Sequence, residues 1–303
     1  MSRKQVRMVR GERQKELVKT FSALCDRHNR WQVWSDFISM SAIAISNTVD
    51  LAHAEEREKT YMTLAKRYNS AEMNVFSDML AQMIVAIDVN PDQDFLGDLF
   101  MNLELSNDHA GQFFTPYHVC KLMAKITEPD IKGRVERDGF ISVNDCACGA
   151  GALLVAFANE CLAQKVNYQT DVLFTAQDID YTVGLMCYLQ LSLIGAPGYV
   201  KIGNSITEPL TSHDRKCLLP VDNGTIWYTP MFFRDVWYHR RQWAMLDIAI
   251  NQMAALGAAE RPTEAVTEPS PLELPAPPEI TENPEETPMP VYAETATGQL
   301  TFF

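Results

Sequence analysis

Apolar residues recur at spacings of three and four along the first third of the chain, a pattern typical of helices that bury one face. One set is Leu17, Phe21 and Leu24, and a second comprises Met73, Phe76, Leu80, Met83, Ile84 and Ile87. Pro91 marks a break between helical segments. The pattern predicts a helical N-terminal region over residues 1–108.

After Gly111 the pattern changes to an alternation of short apolar strands and longer helices. Strands are predicted at 140–144, 171–176, 199–202 and 225–228. Helices are predicted at 116–126, 152–163, 182–194 and 232–256. This alternation predicts an α/β fold, a Rossmann-like doubly wound parallel sheet over residues 109–256.

The composition changes again beyond Gly257. Nine of the chain's 16 Pro lie between Pro262 and Pro290, and the last 44 residues carry nine Glu against one Arg. Such a segment buries too little apolar surface to offset its ordering entropy, so residues 257–303 are predicted to be an acidic, disordered tail. The residues before Glu260 carry only −5 of the net charge of −13. They lack the strongly basic composition of a stand-alone DNA-binding protein, so any DNA binding must be local, weak or supplied by a partner.

Two stretches with basic residues leave their role open. One lies near the start of the chain: Arg3, Lys4, Arg7, Arg10, Arg13, Lys15 and Lys19. The other, residues 237–243, interleaves aromatic and basic side chains. Each fits a solvated helix, and each also fits a surface that contacts DNA, while the first also fits contact with a partner.

Cysteine usage and apolar runs point to the cytoplasm. The seven Cys form no disulfide framework, no signal peptide is recognisable, and the apolar run Phe37 to Ile45 is too short to span a bilayer. Cys146 and Cys148 have no second Cys or His pair beside them, so no metal site is predicted. We expect a cytoplasmic protein with reduced thiols and no membrane contact.

The central chemical feature is a glycine turn between the first predicted strand and its helix. Asp145 ends the strand, and Cys148, Gly149 and Gly151 lead into the helix. Glycines let the backbone turn tightly and approach a ligand, and the helix presents unpaired N–H groups at its start. No Gly-Lys-Ser/Thr follows, which argues against a Walker-type phosphate loop.

Two further polar residues end neighbouring strands. Asp178 follows the second strand, where an acid can accept hydrogen bonds from ribose hydroxyls, and Asn204 follows the third, where an amide can reach an adenine edge. Ordinary turn chemistry also favours Asp, Asn and Gly at such positions. Three polar ends in register favour a nucleoside-type cofactor.

Four segments resemble motifs of the adenine-N6 DNA methyltransferases that serve as modification subunits of type I restriction systems. Residues 111–116, Gly-Gln-Phe-Phe-Thr-Pro, resemble that family's Gly-Gln-Phe-aromatic-Thr-Pro, and residues 145–151 resemble its Asp-Pro-Ala-Cys-Gly-Ser-Gly. Residues 176–180 are similar to its Gly-Gln-Glu-Ile-Asn/Asp, and residues 203–206 to its Gly-Asp-Ser-Leu. The resemblance covers roughly residues 70–206, with all four motifs in order.

The resemblance implies a DNA methyltransferase-like protein of a restriction-modification system, which uses S-adenosyl-L-methionine as the methyl donor. It implies that Phe113 and Thr115 line the methionine part and that Asp145 holds its amino group. Asp178 would hold the ribose and Asn204 the adenine, while Cys148, Gly149 and Gly151 belong to the glycine motif. DNA is the implied substrate.

The family's Asn/Asp-Pro-Pro-Tyr/Phe motif, which receives the flipped adenine, occurs nowhere in the sequence. In the corresponding region the catalytic candidates are Tyr228, Thr229, Pro230 and Phe232. Three possibilities remain: a divergent active enzyme, a non-catalytic cofactor-binding protein, or a chain completed by a second subunit. The aromatic segment also fits simple core packing. After it, we expect one helix and the tail, without the family's later strands or a target-recognition domain.

The end of the tail is unusually apolar for a disordered segment. Gln299, Leu300, Phe302 and Phe303 resemble the bacterial sliding-clamp-binding peptide, Gln-Leu-Ser/Asp-Leu-Phe. The tip is predicted to bind a sliding clamp, to dock on the chain's own domain, or to have no role.

Overall fold

The computed structural model describes residues 3–103, 105, 114–259, 292–294 and 300–302. Five helices open the described chain: α1 (Arg3–Cys25), α2 (Arg30–Ser46), α3 (Ala54–Ala65), α4 (Ser70–Val89) and α5 (Phe95–Asn102). They confirm the predicted helical N-terminal region.

Side-chain caps begin several of these helices. Asn69 and Glu72 form a reciprocal capping box at the start of α4, and the Asn29 side chain caps α2. The apolar positions that set the sequence pattern face inward, and Leu17, Phe21 and Leu24 are all buried. The N-terminal helices therefore share the main hydrophobic core with the sheet that follows.

Three parallel strands form the centre of the sheet: β1 (Ile141–Asp145), β2 (Val172–Asp178) and β3 (Gly198–Ile202). The helices around them are α6 (Tyr117–Thr127), α7 (Ile131–Asp138), α8 (Ala152–Ala163), α9 (Tyr168–Asp171) and α10 (Tyr181–Leu193). Because the strands are parallel, Asp145 and Asp178 reach the same edge of the sheet. The predicted α/β architecture is confirmed.

The fourth predicted strand, β4 (Ile226–Tyr228), runs antiparallel to β3, which corrects the expectation of a parallel strand. A parallel strand requires a crossover, usually a helix, that returns the chain to the amino edge of the sheet. The described loop 203–225 contains no helix and leaves the chain at the carboxyl edge. The chain therefore re-enters the sheet in the opposite direction.

A one-turn 3-10 helix (Pro230–Phe233) leads into the long helix α11 (Asp235–Ala259). Trp237 is buried there and donates from Nε1 to the Gln169 carbonyl at 2.7 Å. The guanidinium of Arg240 lies over the Phe140 ring at 4.5 Å, and that of Arg241 lies over Phe232 at 4.2 Å. In this stretch of mixed aromatic and basic residues, these three side chains thus pack within the chain. No described helix is long and apolar enough to cross a membrane.

Two short strands, β5 (Tyr292–Glu294) and β6 (Leu300–Phe302), come from the segment predicted as a tail. β6 pairs in parallel with β1, and β5 pairs antiparallel with β6, so the sheet order is β4-β3-β2-β1-β6-β5. Residues 291–303 contain no Pro, unlike the stretch before them, so every residue there can donate to a strand ladder. Most of the predicted tail, with Gln299 and Phe303, lies outside the described residues.

Candidate cofactor site

The glycine turn connects β1 to α8 through two residues with left-handed backbone angles, Gly149 at φ 54° and Gly151 at φ 90°. The turn is anchored to β2, because the Cys148 N–H donates to the Gln177 carbonyl at 3.0 Å. A Cβ on Gly151 would lie 2.8 Å from Cys187 Sγ on α10. The conformation and the tight packing both explain glycine here.

Asp145 ends β1 and is only 7% exposed. Its Oδ1 accepts from the Ala147 N–H at 3.2 Å. Burial raises the pKa of Asp145 to about 7; the bond from Ala147 opposes the rise, and nearby Asp178 adds to it. Among the described residues, no cationic side chain contributes to this pKa. A buried carboxylate in such surroundings is stabilised by a cationic ligand such as an amino group.

Asp178 ends β2 and bonds directly to the glycine turn. Its Oδ2 accepts from the Gly149 N–H and its Oδ1 from the Asp180 N–H, each at 2.9 Å. Burial is the main reason that the pKa of Asp178 is raised. An ionised carboxylate has about four acceptor positions, so both oxygens can accept further hydrogen bonds from hydroxyls. The structure thus brings Asp145, Asp178 and the turn together.

Asn204 lies just past β3, at the same edge of the sheet. Its Oδ1 accepts from the N–H groups of Ile206 and Thr207 at 2.9 and 3.4 Å, which closes an Asx-type turn. The oxygen therefore serves the backbone, and the side-chain amino group is the part suited to a ligand acceptor. Gln177 holds this loop, because its Nε2 donates to the carbonyls of Gly203 and Glu208.

The segment before α6 reaches the turn with a residue that the sequence analysis did not select. Phe113 lies outside the described residues, and Thr115 is exposed. The Phe114 ring lies 3.4 Å from the position of a Cβ on Gly149 and packs against Phe100. Its position in the first resembling motif was the available signal, but the motif alone did not distinguish it from Phe113.

Gln190 is a second residue that the sequence analysis missed. It lies buried on α10, donates from Nε2 to the Ala150 carbonyl at 2.7 Å and to Asp94 Oδ1 at 2.8 Å, and accepts from the Leu96 N–H. It thereby joins the start of α5 to the glycine turn. A single Gln within the otherwise apolar run of residues 183–191 was the available signal.

The structure does not bring the four catalytic candidates to this edge. Tyr228 pairs with Tyr199 at the amino end of β3, opposite the glycine turn. Thr229 is buried and donates to the Ala196 carbonyl at 2.7 Å, and Pro230 begins the 3-10 helix. Phe232 is buried and stacks on Tyr228 at 5.1 Å. These contacts are those of a packed core.

Tyr228 and Phe232 also line a separate groove of about 570 Å³ beside α11. At its polar end the Tyr228 hydroxyl donates to Asp222 Oδ2 at 2.9 Å, and His53 Nε2 lies 3.6 Å from the same oxygen. Within the described part of the chain, no group of three or more His, Cys, Asp or Glu side chains is arranged to hold a metal ion.

Residues 92–232 match the sequence model of a family described as N-6 DNA methylase. The middle of the chain is therefore similar to N-6 DNA methylases. The matched segment contains the described candidate cofactor residues, from Thr115 to Asn204, together with α5 and β4. The helices α1 to α4 and α11 lie outside it.

A crystal structure of the methyltransferase subunit of a type I restriction-modification system from Streptococcus thermophilus is similar at 14% identity, with a TM-score of 0.33. The match covers 66% of this chain and 59% of that chain, so the chain spans under two thirds of that subunit. No curated protein matches the chain.

Proposed function

We propose that the chain binds S-adenosyl-L-methionine at the carboxyl edge of β1–β3 and acts in the adenine-N6 methylation of DNA in the cytoplasm. One observation carries the proposal: a buried acid, Asp145, lies beside a glycine turn that is itself hydrogen-bonded to a second acid, Asp178. The similarity of residues 92–232 to N-6 DNA methylases supports methylation as the reaction.

The residues present fit the cofactor part by part. The Asp145 carboxylate would pair with the amino group of the methionine moiety, which offsets the cost of burying its charge. Asp178 would accept from the ribose hydroxyls while it keeps its bond to Gly149. The Asn204 amino group would donate to an adenine nitrogen. By the resemblance, Phe113 and Thr115 would line the methionine part, next to the glycine motif that contains Cys148. When bound, the cofactor supplies an electrophilic methyl group.

A second candidate function is cofactor binding without methyl transfer by this chain alone. The observation that favours it is the position of Tyr228, Thr229, Pro230 and Phe232 at the amino edge of β3, across the sheet from the glycine turn. Groups that receive a flipped adenine must lie within bonding distance of the methyl donor. In this second candidate function a further subunit supplies them.

Two measurements on the full chain separate these candidates. Calorimetry with S-adenosyl-L-methionine measures binding, and transfer of a labelled methyl group to DNA measures catalysis. We expect binding, and we expect Asp145→Asn to weaken it by about tenfold or more, because a charge-assisted pair is lost.

Asp171→Asn is the matched control, since Asp171 precedes β2 at the opposite edge and keeps an acceptor oxygen for Thr170. Equal losses in both variants would contradict the site, and absence of binding by the unaltered chain would overturn the proposal. Binding without transfer to DNA would favour the second candidate function. The sliding-clamp interpretation of residues 299–303 stays a prediction.

A further inference from the structure

The strand β6 occupies an internal position in the sheet although it comes from the last residues of the sequence. It lies between β1 and β5, with Leu300 opposite Val143, Thr301 opposite Asn144 and Phe302 opposite Asp145. Because β6 runs parallel to β1, it ends at the carboxyl edge, level with Asp145. The strand thus neighbours the candidate cofactor site directly.

β1 is the strand that depends most on this neighbour. It carries Asp145 and the glycine turn, and it pairs with β2 on one side and with β6 on the other. Without β6, β1 would be an edge strand with a row of unpaired N–H and C=O groups. A strand paired on both sides holds its final residues more firmly than an edge strand does, because fraying concentrates at open edges.

The number of residues between α11 and β5 sets no limit on how far β5 and β6 can lie from β1. The 32 residues between Ala259 and Tyr292 can reach about 100 Å when extended, far more than the width of the sheet. Only three residue pairs join β6 to β1, and three join β5 to β6. A two-stranded unit of this size is marginal by itself, so its stability comes from docking on β1.

We propose that β6 is an exchangeable strand that positions β1 and the glycine turn for cofactor binding. The strand Leu300–Phe302 thereby acts as a positioning element of the site, and its backbone pairs with the chain's own sheet. The cofactor part of this inference rests on the proposed function.

The test compares two Thr→Pro variants of the full chain. Thr301→Pro removes the N–H of a residue that has a strand on both sides, a position that does not tolerate Pro. Thr297→Pro, in the same C-terminal segment, is the matched control, because residue 297 belongs to neither strand. Hydrogen exchange of the amides of residues 141–145 is read without any cofactor, and calorimetry measures cofactor affinity.

We expect Thr301→Pro to speed exchange in β1 by about tenfold and to weaken cofactor binding by a similar factor, while exchange in α2 and α4 stays unchanged. Addition of a synthetic peptide of residues 291–303 should restore protection of β1.

Unchanged exchange in β1, or equal changes in both variants, would overturn the inference. A third outcome is faster exchange in β1 of the Thr301→Pro variant while the unaltered chain binds no cofactor. That outcome would uphold β6 as a structural partner of β1. It would reject the role of β6 in cofactor binding, and it would also reject the proposed function. Capture of the tip by a sliding clamp with β1 still protected would also overturn the inference.

Discussion

Ionisation of the Asp145 carboxyl group is unfavourable, because the charge is buried away from water. Burial raises its pKa to about 7, well above the ordinary value of 3.8. The folded protein therefore holds a proton that the unfolded chain releases between these two values. Ionisation of Asp145 lowers the stability of the fold as pH rises, and a cationic ligand would reverse that penalty.

This titration predicts opposite pH trends for binding and stability. Cofactor affinity should increase as pH rises through about 7, since the carboxylate is the form that pairs with an amino group. Without cofactor, the stability of the unaltered chain relative to Asp145→Asn should fall between pH 4 and 8, by roughly 2–4 kcal/mol at most. Denaturant unfolding at several pH values measures it. A pH-independent difference between the two proteins would contradict the buried titration.

The two glycines of the turn provide a matched pair of substitutions. Both have positive φ, so alanine strains the backbone by about 1–2 kcal/mol at either position. At Gly149 the new Cβ would lie 3.4 Å from the Phe114 ring, an ordinary contact, whereas at Gly151 it would lie 2.8 Å from Cys187 Sγ. Gly151→Ala should therefore destabilise the protein by about 1–3 kcal/mol more than Gly149→Ala. Thermal unfolding compares them, and equal losses would refute the packing argument.

The helix α11 carries apolar residues on two opposite faces. Trp237 is fully buried and donates a hydrogen bond to the Gln169 carbonyl, whereas Trp243 is 68% exposed. Three further exposed apolar side chains lie on the same side as Trp243: Leu246, Ile250 and Met253. An apolar face in solvent adds little to the stability of the monomer. The helix is therefore held chiefly by its inner face and the preceding 3-10 helix.

Two Trp→Ala substitutions on α11 test this asymmetry. Trp237→Ala should cost about 3–5 kcal/mol, because it leaves a cavity in the core around Phe140 and removes the bond to Gln169. Trp243→Ala should stay within about 0.5 kcal/mol. Urea unfolding followed by circular dichroism measures both. A large loss for Trp243→Ala would indicate that its face is covered, for instance by a second molecule.

Elements with strong periodicity could be predicted from the sequence, because burial of one face leaves a regular pattern. The N-terminal helices and β1 to β3 follow that pattern, and Asp145, Asp178 and Asn204 could be located as polar ends of apolar strands. The direction of β4 was mispredicted, because strand direction depends on the connection rather than on the strand. The missing helix in residues 203–225 was the signal.

At the scale of the whole molecule, the sequence did not predict the long-range pairing of β6 with β1. No local pattern indicates that Leu300–Phe302 pairs with β1, since a three-residue segment with two apolar side chains can pair with many strands. The separation of the catalytic candidates from the glycine turn has the same origin. Tyr228 and Phe232 were placed by their distance along the chain, but the antiparallel course of β4 carries them to the opposite edge.

The parallel pairing of β1 with β6 also bears on how the protein refolds. Val143 and Leu300 are 157 positions apart, whereas Ile141 and its partner on β2, Val172, are 31 apart. Contacts between distant segments form late, because closing a long loop loses entropy before any favourable contact offsets that loss. We therefore expect the helices and β1–β3 to assemble first and β6 to join in a final, slower kinetic phase. Until that phase ends, newly folded molecules would expose the side of β1 and would be the species most prone to pair with one another.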